Sequence, residues 1–211
     1  MTIKVVNLGL PKTGTTTLAK ALRLAGFNVA DQKLRGRNAG ASDLKGAFVA
    51  DLLYRGYFET GDPATFLGAS TAISEMSLHQ IDRSLWPQMD FALLLALRAY
   101  HPGIKFLASR RDAFNLSQSM LAWSNLGLTR LPSATVPGLP AGYGQTTKER
   151  IQWIEGHYVA LGQFFRNDPD FLEYDVAAPD TPARIGAFLG CDLPWWGQLN
   201  ANPIRLRTAP G

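Results

Sequence analysis

Cysteine is almost absent from this chain: Cys191 is the one thiol among 211 residues. An internal disulfide framework is excluded, and so is any metal site built from several cysteines. Cys191 itself reads as a small residue in the turn after a helix. Histidine is scarce as well, at His79, His101 and His157. Charged residues make up 18% of the chain, too few for a disordered or supercharged protein. The basic excess is mild, 21 basic against 17 acidic residues for a net charge of +4. That suits an anionic ligand but lacks the concentrated basic stripe of a nucleic-acid binder, so no nucleic-acid partner is expected. No apolar run reaches the length that spans a bilayer, and the chain enters a strand without a basic leader and cleavable apolar stretch. A cytoplasmic protein without a membrane span is the expectation.

Against these absences, 46% of the residues are hydrophobic, enough to bury a substantial core, most simply as one domain over 1–211. Residues 3–8, 104–109 and 171–176 are short β-branched or apolar runs that read as buried strands, with a shorter one at 69–73. Helical patterns cover 15–25, 43–54, 87–100, 112–125, 147–166 and 181–189. The stretch 56–68 is punctuated by Gly, Asp and Pro, and the segment LPSATVPGLPAGYG at 131–144 reads as a flexible loop or lid. No internal repeat is visible. Strands alternating with helices call for an α/β protein with a parallel sheet covered on both faces. Ligands of such folds bind at the carboxyl ends of the strands.

The turn after the first strand carries the strongest signal. GLPKTGTT, residues 9–16, compares with the nucleotide-binding pattern G-x-x-x-x-G-K-[ST]. Gly9 and Gly14 have the right spacing, but Thr15 stands where the lysine that spans β- and γ-phosphates belongs. A lysine occurs earlier, at Lys12, and threonines occupy 15, 16 and 17. Backbone N–H groups at a helix start, hydroxyls and a loop lysine suit one compact anion such as a phosphate or sulfate. A second signal is KFLASRRDAFNLSQSM, residues 105–120, a strand ending in two arginines before a helix that Asp112 can cap. Arg110 is either a second phosphate contact or a solvated charge, the latter favoured, and Ser117 reads as a helix-surface residue.

PKTGTTTL resembles the 5′-phosphosulfate loop of the sulfotransferase family, in its small bacterial-type form. The second segment is similar to that family's strand, Arg-[Asp/Asn]-Pro and serine eight residues after the arginine. Here these are Arg111, Asp112 and Ser119, with Ala113 in place of the proline. The resemblance implies a three-layer P-loop-NTPase-like α/β fold and 3′-phosphoadenosine 5′-phosphosulfate (PAPS) as co-substrate. 3′,5′-Adenosine bisphosphate (PAP) would be the product, and no metal is required. It implies that Lys12, Thr13, Gly14, Thr15, Thr16 and Thr17 form the donor loop, its backbone with Thr15, Thr16 and Thr17 holding the 5′-phosphate. Lys12 would meet the sulfuryl group and the leaving oxygen, where charge builds in the transition state. Arg111 and Ser119 would hold the 3′-phosphate.

Sulfuryl transfer to a hydroxyl or amine also needs a base. Glu75, after the strand at 69–73, is the first candidate and His79 the second. His101 sits in a turn and His157 within an aromatic helix. The ending at 174–203 is similar to the family's, although its Arg-Lys-Gly segment is missing, and Arg205 and Arg207 are candidate substitutes. The acceptor, a small molecule or a glycan or lipid, has no readable code in the chain, and neither does the oligomeric state. A P-loop kinase or NTPase and a non-catalytic nucleotide-binding module stay open as alternatives.

Overall fold

Period-two alternation along very short strands decides how this protein is layered. The computed structural model describes residues 2–36, 42–80 and 82–199. In chain order, β1 (Val5–Asn7), α1 (Thr15–Leu24) and β2 (Val29–Ala30) precede α2 (Val49–Thr60) and β3 (Ala72–Ile73). The antiparallel ribbon of β4 (Leu78–His79) and β5 (Ser84–Leu85) leads to α3 (Phe91–Tyr100). β6 (Lys105–Arg110) and α4 (Ala113–Ala122) follow, and then a π-helical turn, Leu126–Arg130, runs into α5 (Leu131–Ser133). α6 (Thr147–Phe164), β7 (Phe171–Asp175) and α7 (Thr181–Leu189) end the sequence of elements.

The main sheet is parallel throughout, in the order β2-β3-β1-β6-β7. Side chains of successive residues leave a strand on opposite faces. Val5, Ala72 and Leu107 accordingly pack with Leu18, Leu22 and Ile185 of α1 and α7. Val6, Ile73, Phe106 and Ala108 pack with side chains of α2, α3, α4 and α6 on the other face. The result is the three-layer α/β class that the alternating pattern calls for, with a central parallel sheet flanked by helices. Both faces of β1 are covered, which is why its run is apolar rather than alternating. No helix among the described residues is long and apolar enough to cross a membrane.

Several local expectations are displaced, each for an identifiable reason. The helix expected at 43–54 is a 3-10 turn at Ser42–Leu44, a break at Gly46 (φ +88°), and then α2. α2 runs straight through Gly56, where a Cβ would lie 2.5 Å from the Asp62 carbonyl oxygen. That glycine serves close packing, and the helix stops at left-handed Gly61 instead. The apolar stretch from Pro87 is split: the Asp90 carboxylate accepts from the N–H groups of Ala92 and Leu93 and so restarts the chain as α3. β2 was not legible, being two residues long.

The largest correction concerns 131–144. It is no free lid: Leu131, Pro132, Val136 and Leu139 are buried. Arg150, fully buried on α6, donates to the carbonyls of Gly144 and Gln145 and to the hydroxyls of Thr147 and Ser117. Ser117 is therefore an interior partner of that guanidinium rather than a surface residue.

Candidate active site at the loop after the first strand

Asn7 is the polar exception in an apolar strand, and it organises the site. It is buried, its amide N–H donates to the Ser74 carbonyl, and its Oδ1 accepts from the N–H groups of Gly9 and Ser109. One side chain thus ties together the carboxyl ends of β3, β1 and β6. Gly9 passes so close to β6 that a Cβ would lie 2.0 Å from Ser109 Oγ. Thr13 is fully buried, donating to the Leu10 carbonyl at 2.6 Å and sharing a 2.7 Å hydrogen bond with Ser109 Oγ. Its hydroxyl faces inward and shapes the loop. Between these anchors Lys12 takes φ +74°, a left-handed conformation unfavourable for a lysine. Gly14, at φ +88°, precedes α1 without any side-chain cap on the first helical turn. Uncapped N–H groups at a helix start favour an anion.

The threonines divide their work. Thr15 is buried and its hydroxyl reaches the Glu75 carboxylate. Thr17 donates to the Gly197 carbonyl at 2.9 Å and so fastens the C-terminal segment. Thr16 is half-buried between them. Thus the Thr15 and Thr17 hydroxyls, both expected to face a phosphate, are committed within the protein.

Lys12 and the start of α4 are brought together. Arg111 donates from Nη1 to the Lys12 carbonyl at 3.2 Å, so the basic strand end braces the loop. Burial and then the neighbouring Arg111 charge lower the Lys12 ammonium below the usual lysine value. Its Nζ lies 4.9 Å from the centroid of the Trp123 ring. Asp112 caps α4 as expected, accepting from the Asn115 N–H. Ser119 is half-buried on α4, four residues and one helical turn before Trp123. Arg110 is an ion-paired residue at the end of β6 rather than a free solvated charge. It pairs with Glu155 and with Glu173, the latter at 2.8 Å, and stacks on Tyr158.

The two base candidates prove unlike. Glu75, just beyond β3, is buried, and burial pushes its carboxyl up to about 7 despite hydrogen bonds from the Ser77 hydroxyl (2.6 Å) and amide (3.0 Å). His79, on the ribbon, is pushed down to about 4 by burial and the nearby Arg130 charge. Its Nδ1 lies 3.2 Å from Ser84 Oγ, and its Nε2 is buried without a hydrogen-bond partner. The other histidines are structural. His101 joins the Ile3 N–H to Asp62, and His157 donates from Nε2 to the Leu8 carbonyl at 2.9 Å.

Three site residues escaped the sequence reading: Asn7, Trp123 and Arg130. Asn7 left a trace as a polar residue in a strand, whereas Trp123 is placed by the end of α4 and Arg130 by the π-helical turn. Arg205 and Arg207 lie outside the described residues. A groove of about 760 Å³ opens between α6 and the 137–146 segment, lined by Pro137, Leu139, Tyr143 and Trp153 among others. Lys12, Glu75, His79, Arg111 and Ser119 do not line it.

Sheet order and loop together define a class, an α/β protein with a phosphate-loop-like strand–loop–helix at the centre of its sheet. Neither a family model nor a curated protein matches the chain. Among solved structures it is similar to a sugar kinase from Janibacter sp., determined without ligand, at 16% identity and a TM-score of 0.44. That match covers 90% of this chain and 95% of the other. A likeness this distant bears on neither activity nor substrate.

Proposed function

We propose that the protein is a PAPS-dependent sulfotransferase acting by in-line displacement without a metal. The observation that carries this reading is the assignment of residues in the loop. The position of the triphosphate lysine is filled by Thr15, turned inward to Glu75, while the cation is supplied by Lys12, braced by Arg111. In this reading the N–H groups of the first α1 turn and Thr16 bind the 5′-phosphate. Thr13, Gly14, Thr15 and Thr17 hold the loop in shape. Lys12 faces the bridging oxygen, and Arg111 with Ser119 takes the 3′-phosphate. The acceptor oxygen or nitrogen attacks sulfur as the bond from sulfur to the bridging phosphate oxygen breaks. PAP leaves with that electron pair, and the acceptor proton passes to Glu75. A base works best with a pKa near the working pH, and the Glu75 carboxyl at about 7 meets that condition better than the His79 ring at about 4.

Calorimetry tests the reading directly. PAP is expected to bind at least tenfold more tightly than ATP, with or without magnesium, and a preference for Mg-ATP overturns it in favour of a kinase or NTPase. Arg111→Ala should weaken PAP far more than 5′-AMP, because only PAP carries a 3′-phosphate; equal losses remove Arg111 from that role.

A further inference from the structure

Besides Lys12 and Arg111, which the proposed reading gives to the donor, a third cation, Arg130, lies over the Trp123 ring. It ends the π-helical turn, where its N–H bonds five residues back to the Asn125 carbonyl. Such turns are rare and concentrate at functional sites. Here the turn brings Arg130 back toward α4, its guanidinium carbon 5.4 Å from the same Trp123 ring that carries the Lys12 ammonium. Nη1 donates to the His79 carbonyl at 2.6 Å, which holds the fork against the ribbon that follows Glu75. Nε is buried with no hydrogen-bond partner. No carboxylate among the described residues pairs with this guanidinium; burial alone accounts for the lowering of its pKa. Arg110, by contrast, has two carboxylates. A half-buried guanidinium without a carboxylate partner is unfavourable unless an anion completes it, and its planar fork fits an oxyanion.

We propose that Arg130 recognises an anionic oxygen group, a carboxylate or sulfate ester, on the acceptor. The acceptor is then itself an acidic molecule, oriented by a contact beside the Lys12 end of the donor. This rests on the sulfotransferase reading. The Trp123 ring sets the spacing, holding the acceptor cation and the donor cation on one indole by cation–π attraction. Arg130 is a specificity residue here, since the bond-making groups remain Lys12 and Glu75.

The test uses the full chain saturated with PAP and titrated by calorimetry with inorganic sulfate and with benzoate as oxyanion probes. Wild type, Arg130→Met and Arg130→Lys are compared. The expected result is that both variants bind PAP within about twofold of wild type. Arg130→Met loses oxyanion binding at least tenfold, and Arg130→Lys, keeping charge but not the fork, loses it severalfold. If Arg130→Met does not fold, the Arg130→Lys comparison decides on the same criteria. Oxyanion binding that is absent from wild type, or unchanged in both variants, overturns the proposal and leaves the donor reading standing. A tenfold loss of PAP affinity in the variants reassigns Arg130 to the donor and likewise overturns it. Failure of wild type to bind PAP at all sinks the sulfotransferase reading, and the proposal with it.

Discussion

At the scale of single residues, Glu75 is where stability and the proposed chemistry oppose one another. Its carboxyl sits at about 7 in the folded protein against 4.5 for an ordinary glutamate, because burial disfavours the charged form. The folded state therefore holds a proton that the unfolded state releases, and stability declines as pH rises from about 4.5 through about 7. Glu75→Gln removes that loss. The variant should match wild type at pH 4 and exceed it by on the order of 3 kcal/mol above pH 7, read by urea denaturation. Sulfuryl transfer by wild type should rise through about pH 7 as the base ionises, and the variant should lack that limb and turn over at least about 100-fold more slowly. Turnover equal to wild type would return the role to His79. Asn7 shows the other kind of residue, without titration but indispensable, because three strand ends share its amide.

At the scale of elements, the segment 131–146 is held by one buried cation. Arg150 satisfies two carbonyls and two hydroxyls, and a Thr146–Glu149 capping box starts α6 beside them. Arg150→Met would strand those carbonyls in the interior, a loss of roughly 3 kcal/mol. Hydrogen exchange should show the loss locally, with protection in 131–146 falling by about tenfold or more while β6 amides hold theirs. Loss of protection spread evenly over the sheet would instead make Arg150 part of the global core. The sequence presents this stretch as Pro/Gly-rich and so as a loop. Its burial depends on Arg150 and Trp153 of α6 and on Ser117 of α4, and no local pattern announces such partners.

For the whole molecule, acid response follows from three buried groups. His79 and His157 are both held near 4 by burial, so unfolding takes up a proton at each between about pH 4 and 6.5. Glu75 works the other way between about 4.5 and 7. Between pH 5 and 6 the balance is a net uptake of about one proton on unfolding, so stability rises with pH there. Glu75→Gln should raise the uptake to about two protons and steepen the slope. A flat profile of unfolding free energy over this interval in wild type would show that the histidines are not buried in their neutral forms.

What the sequence determined by itself is the class and the central loop. Apolar runs at 3–8, 104–109 and 171–176, alternating with helical periodicity, leave a parallel sheet between helix layers as the way to cover both faces. Gly9, Lys12 and Gly14 fix the loop because their spacing is local, and Gly9 and Gly14 stand where any Cβ would collide. Tertiary structure alone decided which hydroxyls are committed inside, which of Arg110 and Arg111 braces the loop, and that buried Glu75 holds a proton while buried His79 does not. It alone set Trp123 under the Lys12 ammonium and, through a π-helical turn, Arg130 over the same ring. Burial, ion pairing and pKa depend on residues distant along the chain, and these distances close only when the layers pack.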